Sequence, residues 1–252
     1  MSARAAPPRR RLPEPASELI SVDGHQLRIG PWRGSKDVGY LAHLSDGPVP
    51  TAEALTTCLE AAARRGYHEV VTSAVAEPDI GPFVGAGFGE RERLHLLAHP
   101  LTDLPSASWR STRRARPSDR HAVLDIDHRA FQPFWQLDES GLSDAVGATP
   151  VVRFRVTHER PVGVTGYAIF GLAARRGYLQ RLAVDPDRSG KGLGSVLVGD
   201  GLRWLVRRGA TSALVNTQET NERAYQLYLR LGFVPERYQL VVLSAPVPAS
   251  PR

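Results

Sequence analysis

The sequence contains a single cysteine, Cys58, among 252 residues. One cysteine cannot form an intramolecular disulfide, and without partners at ligand spacing it cannot anchor a zinc site. We therefore interpret Cys58 as a buried structural residue. His95 and His99 are four residues apart, but they fall in a predicted strand, where the helical metal-binding geometry is not expected. The sequence predicts no metal site.

Long hydrophobic runs are also missing. Apolar residues make up 42% of the chain and charged residues 23%, and no apolar run approaches the roughly 18 residues of a membrane span. These features predict a soluble globular protein, long enough for two domains. Residues 1–16, which begin MSARAAPPRRRLPEP, are basic and lack the apolar region of a secretory signal. We interpret them as a disordered leader and expect a cytoplasmic protein.

Excess positive charge is confined to a few places. The net charge is +6, and Arg4, Arg9, Arg10 and Arg11 in the leader supply much of it. A second basic cluster, WRSTRRARPSDR at 109–120, lies in a stretch with linker-like serine and proline residues. No aromatic residues alternate with its arginines, as single-strand binding would favour. Nucleic acid is therefore not the partner that we expect.

An internal repeat divides the chain. Residues 62–101 and 205–247 both run from Arg-Arg-Gly through a β-rich segment to Gly-Phe, then Glu-Arg and a final strand. Gly66 and Gly209 are 143 positions apart, and Gly87 and Gly232 are 145 apart. This spacing predicts two similar halves. We assign the first half to residues 17–104, a linker to 105–116 and the second half to 117–252.

The second half contains the loop RSGKGLGSVL at 188–197. A predicted strand at 178–184 precedes it, and apolar spacing from Leu193 to a closing Gly209 predicts a helix after it. Such a loop presents unpaired amides beside the positive end of the helix dipole, which favours phosphate or pyrophosphate. The glycines let an anion approach the backbone, and Lys191 adds positive charge. The residues at 188–197 match neither the P-loop pattern nor the dinucleotide-binding fingerprint.

The segments LAVDPDRSGKGLGSVLV at 182–198 and NERAYQLYLRLGF at 221–233 together resemble the GNAT superfamily of acyl-CoA-dependent N-acyltransferases. The resemblance implies an α/β fold of the α+β type, with a mixed sheet splayed open around CoA. It also implies that the strand backbone binds the pantetheine arm, that the loop amides bind the pyrophosphate and that acetyl-CoA is the co-substrate. Ser189 stands where the family usually has Gln or Arg. The implied cofactor-binding residues are Leu182, Ala183, Val184, Ser189, Gly190, Lys191, Gly192, Leu193, Gly194, Ser195 and Asn221.

Tyr228 and Asn221 belong to the second of these segments. On spacing alone, Tyr228 is a residue at the edge of the core and Asn221 is a helix cap. The resemblance implies that Tyr228 is the catalytic acid that protonates the leaving thiolate. The group that removes a proton from the acceptor is left open among Glu219, Glu139 and a water held by Asn216 and Gln218.

The first half lacks these motifs. Its counterpart of the glycine loop reads GPVPT at 47–51, and Pro82 is expected to break the helix that would match the second motif. We therefore expect a degenerate GNAT-like half that does not bind CoA. This half would support the active half and supply one wall of the substrate cleft.

The sequence thus predicts an N-acetyltransferase that acts on a primary amine of a small molecule or protein. Two alternatives stay open: a non-catalytic acetyl-CoA-binding regulator, and a nucleic-acid-associated protein that uses its arginine clusters. The aromatic stretch FQPFWQL at 131–137 fits either an acceptor site or simple packing.

Overall fold

A computed structural model describes residues 17–22, 24–43, 48–104 and 112–248. They form a sheet of thirteen strands and six α-helices. The strands are β1 (Glu18–Val22), β2 (His25–Pro31), β3 (Val38–His43), β4 (Glu69–Thr72), β5 (Val75–Ala76), β6 (Gly89–His99), β7 (Arg113–Arg114), β8 (Val151–Glu159), β9 (Gly163–Ala173), β10 (Arg176–Val184), β11 (Ser212–Gln218), β12 (Val234–Pro235) and β13 (Leu240–Pro246). The helices are α1 (Ala52–Arg64), α2 (Gly81–Gly85), α3 (Arg120–Ala130), α4 (Glu139–Gly147), α5 (Leu193–Arg207) and α6 (Glu222–Arg230).

The two halves of the chain exchange their last strands. The sheet runs in the order β1-β2-β3-β4-β13-β6-β11-β10-β9-β8-β7, with β5 paired to β13 and β12 to β6. Strand β6 of the first half therefore lies against β11 of the second, and β13 of the second lies against β4 of the first. The predicted boundaries at 17–104 and 117–252 describe order along the chain, and they stay a prediction. Within the predicted linker, Arg113–Arg114 form β7 and pair with β8, and residues 105–111 lie outside the described part.

Helices α1 and α2 cover the core of the first half. Cys58 is buried there, as predicted, and burial raises the pKa of its thiol to about 11. The sequence analysis expected Pro82 to break a helix, but Pro82 lies in the first turn of the short helix α2. Proline is tolerated in a first turn because the amide that it lacks has no partner within the helix.

Alternate residues of β9 point to two different cores of the second half. Ala168 and Phe170 pack in the core beneath α5 and α6, whereas Tyr167 and Ile169 pack beneath α3 and α4. Both faces of this part of the sheet are therefore covered by helices. No helix in the described ranges is long and apolar enough to span a membrane.

An aromatic cluster joins the halves across the central strands. Trp32 of the first half stacks on Phe134 of the second, with ring centroids 5.1 Å apart, and Trp135 packs edge-on against both. Leu94 of β6 and Val242 of β13 lie beneath these rings. Phe134 and Trp135 of the segment 131–137, which the sequence left between packing and acceptor binding, therefore pack against the first half.

Candidate active site

The glycine loop connects β10 to α5. Gly192 is the N-cap of helix α5 and has a φ of 77°, and Gly190 has a φ of 79°. Glycine adopts this left-handed conformation at little cost. A Cβ at either position would meet no atom within 4 Å, so the conformation of the backbone requires glycine there. Gly192 offers no side-chain acceptor to the first amides of α5, which leaves them available to a ligand.

A cleft of about 510 Å³ lies beside this loop. The end of β10, the loop, α6 and the end of α3 form its walls, and its volume is within the usual range of small-molecule sites. Lys191 is the one predicted cofactor residue that does not line it. Those that do are Leu182, Ala183, Val184, Ser189, Gly190, Gly192, Leu193, Gly194, Ser195 and Asn221. The fold brings these ten residues together, and their contact with a cofactor stays a prediction.

The sheet opens next to the cleft. Strands β10 and β11 are paired only where Arg176–Tyr178 face Ser212–Leu214. Further along, Leu182–Val184 pair with β9 on one side and have no strand partner on the other among the described residues. Their free backbone groups form an edge that can hydrogen-bond an extended ligand as an added strand would.

Helix α6 forms the opposite wall. Asn221 caps it, with Oδ1 accepting a hydrogen bond from the Ala224 amide at 3.1 Å, which confirms the capping role. A Cβ on Gly194 would lie 3.0 Å from Cδ2 of Leu227. The sequence analysis assigned Gly194 to anion approach alone, and the structure adds a second reason for glycine, the close packing of α5 on α6.

Tyr228 follows Leu227 on α6 and lies beneath the cleft. Its side chain is 5% exposed, its ring packs 5.6 Å from that of Phe233, and it does not line the cleft. Burial raises the pKa of Tyr228 well above its ordinary value, and the positive charge of Arg181 opposes that rise. The hydroxyl is therefore protonated at neutral pH, and the charge of Arg181 acts on it. A catalytic role for it stays a prediction.

Arg181 is held by a buried carboxylate. Asp127 is 0% exposed and accepts hydrogen bonds from Arg181 Nε at 2.8 Å and Nη2 at 2.9 Å. The Tyr167 hydroxyl donates to the same carboxylate. Two-point pairing with additional hydrogen bonds is what a buried ion pair needs to persist. The sequence analysis missed this cluster, although Asp127 interrupts the apolar face of α3.

The Arg181 guanidinium also contacts two aromatic residues of the segment 131–137. It lies 3.5 Å from the centroid of the Phe131 ring, a cation–π contact, and Nη2 donates to the Trp135 carbonyl at 2.6 Å. Phe131 lines the cleft. Arg33 of the first half donates to the same Trp135 carbonyl, and burial followed by repulsion from Arg181 lowers the pKa of Arg33 to about 10.

Glu92 lies on the other side of Trp135. The indole Nε1 donates to Glu92 Oε2 at 3.1 Å, and Gln218 Nε2 donates to the same oxygen at 3.0 Å. Glu92 belongs to β6 and therefore to the first half of the chain. The sequence analysis missed it because the search for a base followed the motifs of the second half.

Neither carboxylate named from the sequence as a proton acceptor lines the cleft. Glu139 lies on α4 and pairs with Arg120 at 2.9 Å. Glu219 follows β11 and accepts a hydrogen bond from Gln239 at 2.7 Å.

Arginines line the cleft. Arg129 pairs with Asp185 at 2.9 Å, and Arg188 lies 3.5 Å from Glu159. Arg223 and Arg230 are exposed on α6 and make no ion pair in the part of the chain that the structure covers. The wall formed by α6 therefore presents positive charge to an anionic ligand.

The two histidines of β6 take structural roles. The His95 ring lies 4.4 Å from that of Tyr225. His99 is buried, with its Nε2 3.0 Å from the Leu231 carbonyl and its Nδ1 accepting from the Leu101 amide at 2.9 Å. Within the described ranges, no group of three or more side chains is arranged to hold a metal ion.

Comparison with curated proteins gives mainly mycothiol acetyltransferases, together with an N-alpha-acetyltransferase 30 of Xenopus laevis that is 38% identical over 63 residues, 25% of this chain and 23% of that relative. A mycothiol acetyltransferase of Acidimicrobium ferrooxidans is 31% identical over 175 residues, which are 62% of this chain and 55% of the relative. One from Salinispora tropica is 35% identical over 208 residues, 77% of this chain and 60% of the relative. The chain spans about half the length of the first curated relatives that it matches.

Solved structures and the family profile agree with that comparison. A tandem GNAT protein from the clavulanic acid biosynthesis pathway has the same fold, with a TM-score of 0.68 and 16% identity over 96% of this chain and 86% of that one. The family profile described as acetyltransferase (GNAT) matches residues 108–233, which include the glycine loop, α6 and Tyr228. The chain therefore belongs to the GNAT family of acetyltransferases.

Proposed function

We propose that the protein is an N-acetyltransferase that moves an acetyl group from acetyl-CoA to a primary amine by direct attack. Membership of the family supports this proposal. The observation that carries it is the start of α5, which has left-handed glycines, no side-chain cap and a cleft beside it. A helix that begins in this way leaves its first amides to a ligand oxygen.

The residues present fit the pyrophosphate and the pantetheine arm of CoA. The amides of 190–195 would hold the pyrophosphate, and the free edge of Leu182–Val184 would hydrogen-bond the pantetheine arm. Exposed Arg223 and Arg230 offer charge to the phosphates. The thioester would then lie at the end of the cleft near Arg181 and Tyr228.

Acetyl transfer requires a proton donor for the departing sulfur and a neutral amine. Tyr228 supplies the first, since its hydroxyl is protonated at neutral pH. The charge of Arg181 stabilises the tyrosinate that forms when the proton leaves. A non-catalytic CoA-binding protein would not need this pair, which favours the enzyme over the regulator.

The acceptor that we propose is an amine-bearing molecule. The relatives that match most of this chain are named for mycothiol, whereas the N-alpha-acetyltransferase matches only 25% of it, which favours a small molecule over a protein. The nucleic-acid alternative gains no support, because Arg113 of the predicted linker cluster pairs with Asp119 at 2.6 Å.

Calorimetric titration with acetyl-CoA tests the proposal. We expect the wild-type protein to bind and Gly192→Glu to weaken binding by at least about 100-fold, because the substitution strains the left-handed backbone and places a carboxylate beside the pyrophosphate. The matched control is Gly66→Glu. Gly66 also has a left-handed φ, of 83°, and open space around it, but it follows α1 in the first half.

The control should bind acetyl-CoA as tightly as the wild type does. Wild-type protein that binds no acetyl-CoA would overturn the proposed function. Equal weakening by both substitutions would show that the effect comes from strain alone and would remove the support that the loop gives.

A further inference from the structure

Residues 90–93 of β6 are all charged, and one of them has no oppositely charged partner among the described residues. Arg91 pairs with Glu69, and Arg93 pairs with Glu90. Glu92, between the two arginines, forms no ion pair among the residues described. The register of β6 against β13 shifts between Glu92 and Glu90, which marks a β-bulge at this point. Bulges commonly redirect a side chain next to an active site.

The carboxylate of Glu92 is fixed through one oxygen. Trp135 and Gln218 both donate to Oε2, at 3.1 and 3.0 Å. Oε1 has no hydrogen-bond donor in the described part of the chain, and the residue is only partly buried. Glu92 therefore presents a positioned oxygen that is free to accept a proton.

The hydrogen-bond partners of Glu92 include a residue of β11, the strand that separates from β10. Gln218 ends β11, the strand that separates from β10 beside the cleft. Trp135 bonds to Arg181 through its carbonyl and to Glu92 through its indole, and the charge of Arg181 acts on Tyr228. Hydrogen bonds thus connect Glu92 through Trp135 to Arg181, the cation whose charge acts on the proposed catalytic acid.

Glu92 and Tyr228 belong to opposite faces of the sheet. Tyr228 is part of the core beneath α5 and α6, together with Leu97 of β6. Glu92 contacts Trp135, which packs with Leu94 on the other face. An acceptor that enters from the Trp135 face would meet Glu92, while a donor in the cleft would meet the groups near Tyr228.

We propose that Glu92, a residue of the first half, is the catalytic base that accepts the proton of the acceptor amine. This inference rests on the proposed function. The amine nitrogen forms a bond to the acetyl carbonyl carbon and gives one proton to Glu92 Oε1. The C–S bond breaks, and its electron pair stays on sulfur, which takes the proton of Tyr228. The products are an N-acetylated amine and CoA thiol. Solvent then takes the proton from Glu92 and returns one to Tyr228.

The exchange of strands between the halves is the structural basis of this proposal. Pairing of β6 with β11 places this strand of the first half one strand away from the gap between β10 and β11. The other candidate carboxylates, Glu139 and Glu219, are exposed and have partners of their own. The first half would then supply a reacting group as well as support.

Chemical rescue tests the assignment. The assay measures the release of CoA from acetyl-CoA with glucosamine, spermidine or a peptide with a free amino terminus as the acceptor. Hydrolysis of acetyl-CoA by water is measured without an acceptor. With the fastest acceptor, we expect Glu92→Ala to lower kcat/KM by roughly 10²–10⁴-fold, the usual contribution of a general base. Added formate should restore much of the loss, because it fits the space that the side chain leaves. Acetyl-CoA affinity should change less than about twofold.

Two further variants keep the test interpretable. Glu92→Gln retains an oxygen that can accept from Trp135 and Gln218, so it preserves the fold but should be as slow as the alanine variant and insensitive to formate. Glu219→Ala, the matched control, should keep wild-type activity.

The outcomes separate the two proposals. If the wild-type protein neither binds acetyl-CoA nor turns it over, the proposed function fails, and this inference fails with it. If the wild-type protein is active, a Glu92→Ala rate within about threefold of wild type, or a slow variant that formate does not rescue, overturns the assignment of Glu92 alone.

Discussion

The two halves of the molecule contain the same strand–helix–strand unit and differ at the start of its helix. In the first half β3, α1 and β4 form the unit, and Thr51 Oγ1 accepts a hydrogen bond from the Ala54 amide at 3.2 Å. In the second half β10, α5 and β11 form it, and Gly192 provides no such acceptor. Strands β3 and β4 stay paired to Thr72, the end of β4, whereas β10 and β11 separate after Tyr178.

This difference shows how one unit serves two purposes. A capped helix satisfies its own amides and has no need of a ligand. An uncapped helix beside an open strand edge leaves donors that an anion can satisfy. In the first half the Thr51 side chain caps the helix, whereas in the second half the first amides of α5 have no side-chain acceptor.

The helix that follows each unit extends the comparison. When Gly87 is aligned with Gly232, Phe83 falls opposite Tyr228. Both rings are buried, at 3% and 5% exposure, and each packs against the phenylalanine five positions later, at 5.8 and 5.6 Å. The two positions differ by one hydroxyl group.

Among the substitutions that test the difference between the halves, removal of the Tyr228 hydroxyl should have the largest effect. Tyr228→Phe gives the second half the residue of the first, and we expect kcat to fall by about 10²-fold because the leaving sulfur loses its proton donor. Acetyl-CoA affinity and thermal stability should stay near wild type, since the ring and its packing remain. Steady-state assay of CoA release and calorimetry measure the two quantities.

Tyr225→Phe is the matched control for this prediction. Tyr225 lies one turn earlier on α6, and its ring packs on His95. Loss of its hydroxyl should leave kcat unchanged. If Tyr228→Phe turned over as fast as the wild type, Tyr228 would be a core residue like Phe83, and the second half would need another acid.

The first half's helix cap should matter for stability alone. Thr51→Ala removes the acceptor for the Ala54 amide, and we expect the free energy of unfolding to fall by about 1 kcal/mol. Acetyl-CoA affinity should not change, because the capped helix takes no part in binding. Urea unfolding and calorimetry provide the measurements, and a marked loss of affinity would contradict a purely structural role for this helix.

Local features of the second half could be predicted from the sequence. The spacing from Leu193 to Gly209 predicts helix α5, and Gly209 follows that helix with a φ of 74°, as a terminal glycine does. Asn221 was predicted to cap α6, and it does so. These predictions hold because periodicity and capping depend on residues a few positions apart.

The contacts between residues far apart in the sequence could not be predicted in this way. Asp127 and Arg181 are 54 positions apart, and Glu92 and Gln218 are 126 apart. The exchange of β6 and β13 brings the second pair together. Local hydrophobic patterns record which face of a strand is buried, but they do not record which strand lies beside it. The carboxylate of Glu92, one strand away from the gap, could therefore be found only from the fold.

The smallest effect that we predict concerns His99, which ties the exchanged strand β6 to α6 through the Leu231 carbonyl. Burial lowers the pKa of His99 below its ordinary value of 6.5, so the unfolded chain binds a proton more readily than the folded one. Its contribution to stability is full above about pH 6.5 and is lost as the pH falls through the folded-state pKa. Asp119, whose pKa is lowered by its hydrogen bond from Arg113, stays ionised over that range.

We therefore expect urea unfolding to show lower stability at about pH 5.5 than at about pH 7.5. His99→Gln cannot titrate but retains a donor for the Leu231 carbonyl, and it should lose part of this dependence. His95→Gln is the matched control on the same strand and should keep the wild-type slope. A wild-type slope in His99→Gln would mean that the contact between β6 and α6 holds equally well with a protonated ring, and that other groups cause the loss of stability in acid.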